Sequence, residues 1–266
     1  MTAQILTNVT RRKTGTIAYL TISRPNKLNA LNTPLLEQIP KTLQSLTSQN
    51  NDLLGIVLTG AGDKAFVGGA DIAEMAALES PSSARTFISK VHGACNSLRQ
   101  CPVPVIGRVN GYALGAGLEL AASCDFRVAG LNAVFGMPEV KIGIPSVVEA
   151  ALLPGLIGWG RTRQLLMLGE NVDAQEALSW GLIEKVTKPE DLDEAVEIWL
   201  SQLEKNGPLA VRRQKALMRT WENVSMDEAI RAGVAAFEEA FIAENGERTE
   251  PSRMMEAFFQ SKKSKY

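Results

Sequence analysis

Two glutamates stand in apolar surroundings. Glu119 sits among Leu118, Leu120, Ala121 and Ala122, and Glu139 lies in Phe135-Gly136-Met137-Pro138-Glu139-Val140. Burial disfavours a charged carboxylate and moves its pKa towards neutrality, where it serves as a general acid or base. Two glycine-rich turns accompany them: Lys64-Ala65-Phe66-Val67-Gly68-Gly69-Ala70-Asp71, and Asn110-Gly111-Tyr112-Ala113-Leu114-Gly115-Ala116-Gly117-Leu118-Glu119. Glycine lets a backbone approach a ligand closely, and the first N–H groups of a helix lack intrahelical acceptors. Two such amides aimed at one point hold a developing oxyanion. Taken alone, each glutamate also reads as a cap or surface carboxylate, and residue types leave both readings open.

Other chemistries are pruned. The single histidine, His92, excludes a three-histidine metal site within one chain, and a Ser-His-Asp triad would have to use it. It lies in a helical pattern and reads as a helix-face or packed residue, so proton transfer falls mainly to carboxylates, lysines or tyrosines. Cys95, Cys101 and Cys124 form no CxxC pair, which argues against a disulfide framework or structural zinc and for a reducing compartment. Gly60-Ala61-Gly62-Asp63-Lys64-Ala65 fits the GxGxxA dinucleotide pattern, but Phe66-Val67-Gly68-Gly69 stands where the helix should begin. No P-loop motif occurs. No metal and no cofactor are expected.

These residues need elements to hold them. Residues 15–23 alternate with period two after a polar turn at 12–15, which predicts a hairpin. Thr33 is the expected N-cap of a helix with Pro34 at its first position, and Pro40 is expected to kink or break it. Residues 53–59, 102–109 and 125–129 read as short apolar strands, and 82–98 as a helix. Helices are expected near 147–157 and 161–168. Asp173 to Glu176 reads as a capping box opening a helix that Gly181 closes, and 182–186 as strand. Beyond Pro189 the chain reads as helical, with a second box at Ser225 to Glu228 and an apolar stripe of Ile230, Val234, Phe237 and Phe241. That stripe covers either the chain's own core or a partner subunit.

The alternation of strand and helix over residues 1–195, with a helical region over 196–266, predicts an α/β fold. The 266 residues, 45% hydrophobic and 21% charged, suffice for a substantial core. A net charge of −1 and the absence of a basic stripe argue against nucleic acid as a partner. No apolar run approaches the roughly 20 residues of a membrane span, and no targeting segment opens the chain. An intracellular, cytoplasmic location is expected. The last residues, Ser264-Lys265-Tyr266, depart from the peroxisomal Ser-Lys-Leu signal at the final position; peroxisome and mitochondrion stay open for a eukaryotic source.

Five blocks, in order, resemble the enoyl-CoA hydratase/isomerase (crotonase) family: Arg24-Pro25-Asn26-Lys27-Leu28-Asn29-Ala30-Leu31, residues 65–71, 110–125, 135–139, and 173–181. The resemblance implies a spiral core of ββα turns followed by helices that build a homotrimer, often paired into a hexamer. It implies an acyl-CoA thioester as substrate, with CoA belonging to the substrate rather than acting as a cofactor. By the same resemblance, the oxyanion amides fall on Ala70 and Ala116 and the two hydratase glutamates on Glu119 and Glu139. Contacts to substrate and CoA fall on Lys27, Leu28, Gly69, Asp71, Ile72 and Gly115. Having both glutamates points to hydration of a trans-2-enoyl-CoA. Double-bond isomerisation, another reaction on a specialised acyl-CoA, and a non-catalytic binding member are the alternatives.

One segment departs from the family pattern. Common hydratases carry a glycine-rich stretch leading to Gln-Arg-Leu; here Ile144-Pro145-Ser146-Val147-Val148-Glu149-Ala150-Ala151-Leu152-Leu153 stands in its place. Glu149 reads either as a third pocket carboxylate or as a helix-start charge favoured by the dipole.

Overall fold

Apolar strands too short to bury both faces alone must stack, and here they stack into two sheets. The computed structural model describes residues 3–243 and 248–263; the terminal Ser264-Lys265-Tyr266 lies outside them. The chain runs β1 (Gln4–Arg11), β2 (Thr16–Ser23), α1 (Thr33–Gln49), β3 (Leu53–Gly60), β4 (Ala65–Val67), α2 (Ile72–Ala76), α3 (Pro81–Gln100), β5 (Val105–Val109), β6 (Tyr112–Leu114), α4 (Ala116–Ala122), β7 (Phe126–Gly130) and β8 (Val134–Gly136). It continues through α5 (Leu153–Leu168), β9 (Asn171–Asp173), α6 (Ala174–Trp180), β10 (Lys185–Thr187), α7 (Leu192–Lys205), α8 (Pro208–Trp221), α9 (Met226–Glu239) and α10 (Glu250–Lys263). Two compact units result, Met1–Leu200 and Ser201–Tyr266.

In the first unit, one sheet has the order β1-β2-β3-β5-β7-β10 and the other β4-β6-β8-β9. β1 and β2 form the expected antiparallel hairpin. From β2 onwards the neighbours in the first sheet are parallel. Three successive strand pairs, β3–β4, β5–β6 and β7–β8, each place their first strand in one sheet and their second in the other, with helices between pairs. This is a spiral of ββα turns. Parallel strands covered on both faces read as continuous apolar runs, which is why β3 is buried at seven of its eight positions. Gly60 ends β3 and Ala65 opens β4, so a strand follows the GxGxxA pattern where a dinucleotide site needs a helix.

Local signals are mostly obeyed, with instructive exceptions. The N-cap of α1 is Asn32, not Thr33: its backbone is extended and its side chain accepts from the Leu35 N–H at 3.3 Å. Pro40 does not break α1, which is one helix from Thr33 to Gln49. The proline denies the Leu36 carbonyl its partner, but Leu35, Leu36, Ile39, Leu43 and Leu46 are buried on one face and hold the helix across that gap. Gly158, at φ 72°, divides α5 where two helices were expected. At Asp173 only the forward half of the box forms, accepting from the Glu176 N–H, whereas Ser225 and Glu228 complete both halves.

In the second unit, the described residues form helices joined by short turns. Glu250, at the start of α10, accepts from the Leu209 and Ala210 N–H groups and so caps α8. Met226, Ile230, Val234 and Phe237 leave an exposed apolar stripe on α9.

Candidate active site

Close backbone approach brings the two glycine turns together. A Cβ on Gly117 would lie 2.0 Å from the Val67 carbonyl oxygen, so only glycine lets α4 start against the end of β4. Loop 24–31 is laced to the turn after β4: Gly68 N–H donates to the Leu28 carbonyl, Leu31 N–H to that of Gly69, and Asp71 N–H to that of Leu31. Leu31 and Ala70 form an isolated parallel bridge. The residues on either side of Ala70 make its hydrogen bonds, which leaves the Ala70 amide outside the ladder. Ala116 opens α4, so its N–H has no intrahelical acceptor.

Both residues line a cavity of about 320 Å³. Its walls are mainly apolar: Phe87, Ile88 and Val91 of α3, with Ile142, Ile144 and Val147 from the stretch after β8. Glu119 and Glu139 are its two acids. Glu119 sits in the first turn of α4, whose seven residues are all buried. Glu139 sits in a 3₁₀ turn, Pro138–Ile142. A Cβ on Gly115 would fall 2.3 Å from Glu139 Oε1, so the Glu139 carboxylate lies against the glycine that precedes α4.

The environment of each acid differs. Glu119 is 5% exposed. Burial raises its pKa from 4.5 to about 8; the Ala150 N–H, donating to Oε1 at 3.1 Å, opposes this, and the charges of Glu139 and Glu149 add to it. Glu139 Oε2 accepts from the Ser146 hydroxyl at 2.9 Å. Glu149, in the first turn of the 3₁₀ helix Val148–Leu152, is 3% exposed and does not line the cavity. Its Oε1 lies 2.8 Å from His92 Nδ1 on α3. Burial raises its pKa, against the opposing charge and hydrogen bond of His92. It is therefore a helix-start acid paired from behind, not a third pocket carboxylate.

Of the residues singled out from sequence, Gly69, Ala70, Ile72, Gly115, Ala116, Glu119 and Glu139 share this one cavity. Ile72 is 65% exposed. Lys27, Leu28 and Asp71 do not line it. Asp71 caps α2, accepting from the Ala73 and Glu74 N–H groups, and pairs with Arg24. Burial alone would raise the Asp71 pKa, but Arg24 and the two N–H groups outweigh it and hold it below the ordinary value. Sequence reasoning passed over Ser146, the His92–Glu149 pair and the α3 wall. The wall residues look in sequence like any buried helix stripe, and His92 and Glu149 are 57 positions apart.

Comparison with known proteins gives the family. The family described as Enoyl-CoA hydratase/isomerase matches residues 12–266. A short-chain-enoyl-CoA hydratase of Clostridium acetobutylicum is 37% identical over 241 residues, covering 90% of this chain and 92% of that one. A crotonyl-CoA hydratase of Syntrophomonas wolfei is 37% identical over 262 residues, 97% of each chain. The crystal structure of an enoyl-CoA hydratase from Bacillus anthracis superposes with a TM-score of 0.87 at 30% identity, covering 96% of both chains. With its ββα spiral and with family similarity running from residue 12 to residue 266, the chain belongs to the enoyl-CoA hydratase/isomerase family.

Proposed function

We propose that the protein is an enoyl-CoA hydratase, adding water across the 2,3 double bond of a trans-2-enoyl-CoA thioester. The observation that carries this reading is the pairing of Glu119 and Glu139 in one apolar cavity beside two amides, Ala70 and Ala116, that neither ladder nor helix uses. Addition at Cβ moves electrons onto the thioester oxygen. The Ala70 and Ala116 N–H groups receive that charge, a contribution of typically 10²–10³ in rate per donor. Glu119 orients the water and takes its proton as the C–O bond forms at Cβ. Glu139 delivers a proton to Cα. The Cα=Cβ π bond and one water O–H bond break as one C–O and one C–H bond form; the proton gained by Glu119 replaces, through solvent, the one Glu139 gave to Cα, so the residues need no redox partner. CoA enters as part of the substrate. Gly69, Ile72 and Gly115 contact it from the cavity wall. Lys27, Leu28 and Asp71 act from outside the wall, the last two by holding the turn that carries Ala70.

The names of the two relatives and the modest cavity favour a short acyl chain. Purified protein mixed with crotonyl-CoA and with longer trans-2-enoyl-CoAs is followed by loss of the conjugated thioester absorbance. Rapid loss, abolished in Glu119→Gln and Glu139→Gln, is expected. No loss with any chain length overturns the hydratase reading. We also propose a homotrimer, or a dimer of trimers, built with the exposed apolar stripe of α9; large exposed apolar patches mark interaction sites. Sedimentation of a monomer at micromolar concentration would refute it.

A further inference from the structure

Segment 146–150 holds both cavity carboxylates. At one end the Ser146 hydroxyl donates to Glu139 Oε2 at 2.9 Å. At the other the Ala150 N–H donates to Glu119 Oε1 at 3.1 Å. Between them Val148 sits at φ 41°, a region that β-branched residues avoid and that persists only where surroundings over-determine it. The segment therefore needs an anchor beyond its own preference. Glu149 is the side chain placed to supply one.

We propose that Glu149 and His92 form a latch that positions the carboxylate pair, with the hydrogen bond between them fixing segment 146–150 against α3. The Glu149 side chain leaves the segment away from the cavity and reaches His92 Nδ1 at 2.8 Å. Glu149 Oε2 is buried without a hydrogen-bond partner. A buried carboxylate with one oxygen left without a hydrogen bond is a poor choice for stability, because desolvation offsets most of what its contacts gain. Its benefit is geometric. The same helix, α3, carries Phe87, Ile88 and Val91 into the cavity wall, so the latch ties wall, Glu119 and Glu139 into one arrangement. Glu149 and His92 touch no reacting atom in this scheme and act through Ser146 and Ala150.

The activity arm of the test rests on the hydratase reading; the exchange arm does not. The His92 side chain is 51% exposed, so replacing it leaves the core intact. His92→Leu keeps bulk and removes the donor, whereas His92→Asn puts an amide N–H where Nδ1 stands. With crotonyl-CoA, His92→Leu should lower kcat by about 10-fold or more and leave KM within about two-fold, since a displaced catalytic group costs turnover rather than binding. His92→Asn should recover most of that loss. Equal kcat in wild type and His92→Leu, or equal loss in His92→Asn, overturns the latch. Amide hydrogen exchange at Ala150 is read in parallel. It should quicken by about 10-fold in His92→Leu and return in His92→Asn, with β5 unchanged. Unaltered Ala150 exchange also overturns the proposal. Wild-type protein inactive on every enoyl-CoA sinks the hydratase reading, and the exchange result then decides the latch by itself.

Discussion

Glu119→Gln should leave an enzyme that barely turns over and is, at alkaline pH, more stable than the wild type. Glu119 titrates at about 8 in the folded protein against 4.5 ordinarily. Between those values the folded chain keeps a proton that the unfolded chain releases, so wild-type stability falls as pH rises. A tenfold difference in acid dissociation constant between the two states corresponds to about 1.36 kcal/mol. The loss amounts to about 2.5 kcal/mol from about pH 5 to about pH 7, and roughly 1.4 kcal/mol more by about pH 9. Glutamine keeps the shape and still accepts from the Ala150 N–H, but it does not titrate. Urea unfolding of both proteins, at one protomer concentration because assembly adds to apparent stability, should therefore give curves that diverge by about 4 kcal/mol over that range. Other acids titrate in both and cancel. Curves that stay parallel from acid to alkaline pH would refute the account of Glu119 as a carboxyl strained by burial.

The same group sets a pH–rate profile. kcat/KM reports ionisations of the free enzyme. With Glu119 accepting the proton of water, activity should climb through about pH 8. A descending limb there would mean that Glu119 acts as the acid and would exchange the roles proposed for the two glutamates.

Three further outcomes follow from single contacts. Gly115→Ala puts a Cβ 2.3 Å from Glu139 Oε1 at a φ of 51°, so the carboxylate must leave its place; kcat should fall about 100-fold with substrate affinity largely kept, by steady-state kinetics. Ser146→Ala removes the hydroxyl that donates to Glu139 and, at about 1 kcal/mol for a lost hydrogen bond, should slow turnover roughly fivefold. Arg24→Met leaves the Asp71 carboxylate only its two N–H donors and should cost about 2 kcal/mol in urea unfolding at neutral pH. The Asp71 pKa is held low in the fold, so that contribution is present above its unfolded value and fades as the solution is acidified. The variant and the wild type should therefore converge in acid.

The parts of the site legible in sequence were those that break a local rule. Glu119 and Glu139 are acids in apolar runs, and Gly115 and Gly117 cluster where a helix begins; each is conspicuous one residue at a time. The first sheet was legible too, because β2, β3, β5 and β7 are each long and apolar enough to carry a pattern. The second sheet was not: β4, β6 and β8 have three residues each, too few to show a period of two, and their pairing exists only once the spiral closes. Ser146, His92 and the α3 wall belong to the same class. Their types are ordinary, and only tertiary contact gives them a task.

Segment 146–150 is where local preference and global structure conflict most sharply. Val147-Val148 favours an extended backbone, and the resembling hydratases carry glycine in this stretch. The structure nonetheless turns Val148 to φ 41° and buries Glu149 with its Oε2 lacking a hydrogen bond. A sequence optimised for stability alone would avoid both, since agreement across levels is what deepens a folding funnel. Strain that persists beside two catalytic candidates, bonded to both through Ser146 and Ala150, is better explained by the geometry it imposes than by anything it contributes to folding. That also explains why this segment was the hardest to read. Its residues adopt a backbone against their own local preferences, and the contact proposed to hold them there, His92 to Glu149, joins positions 57 apart in the chain.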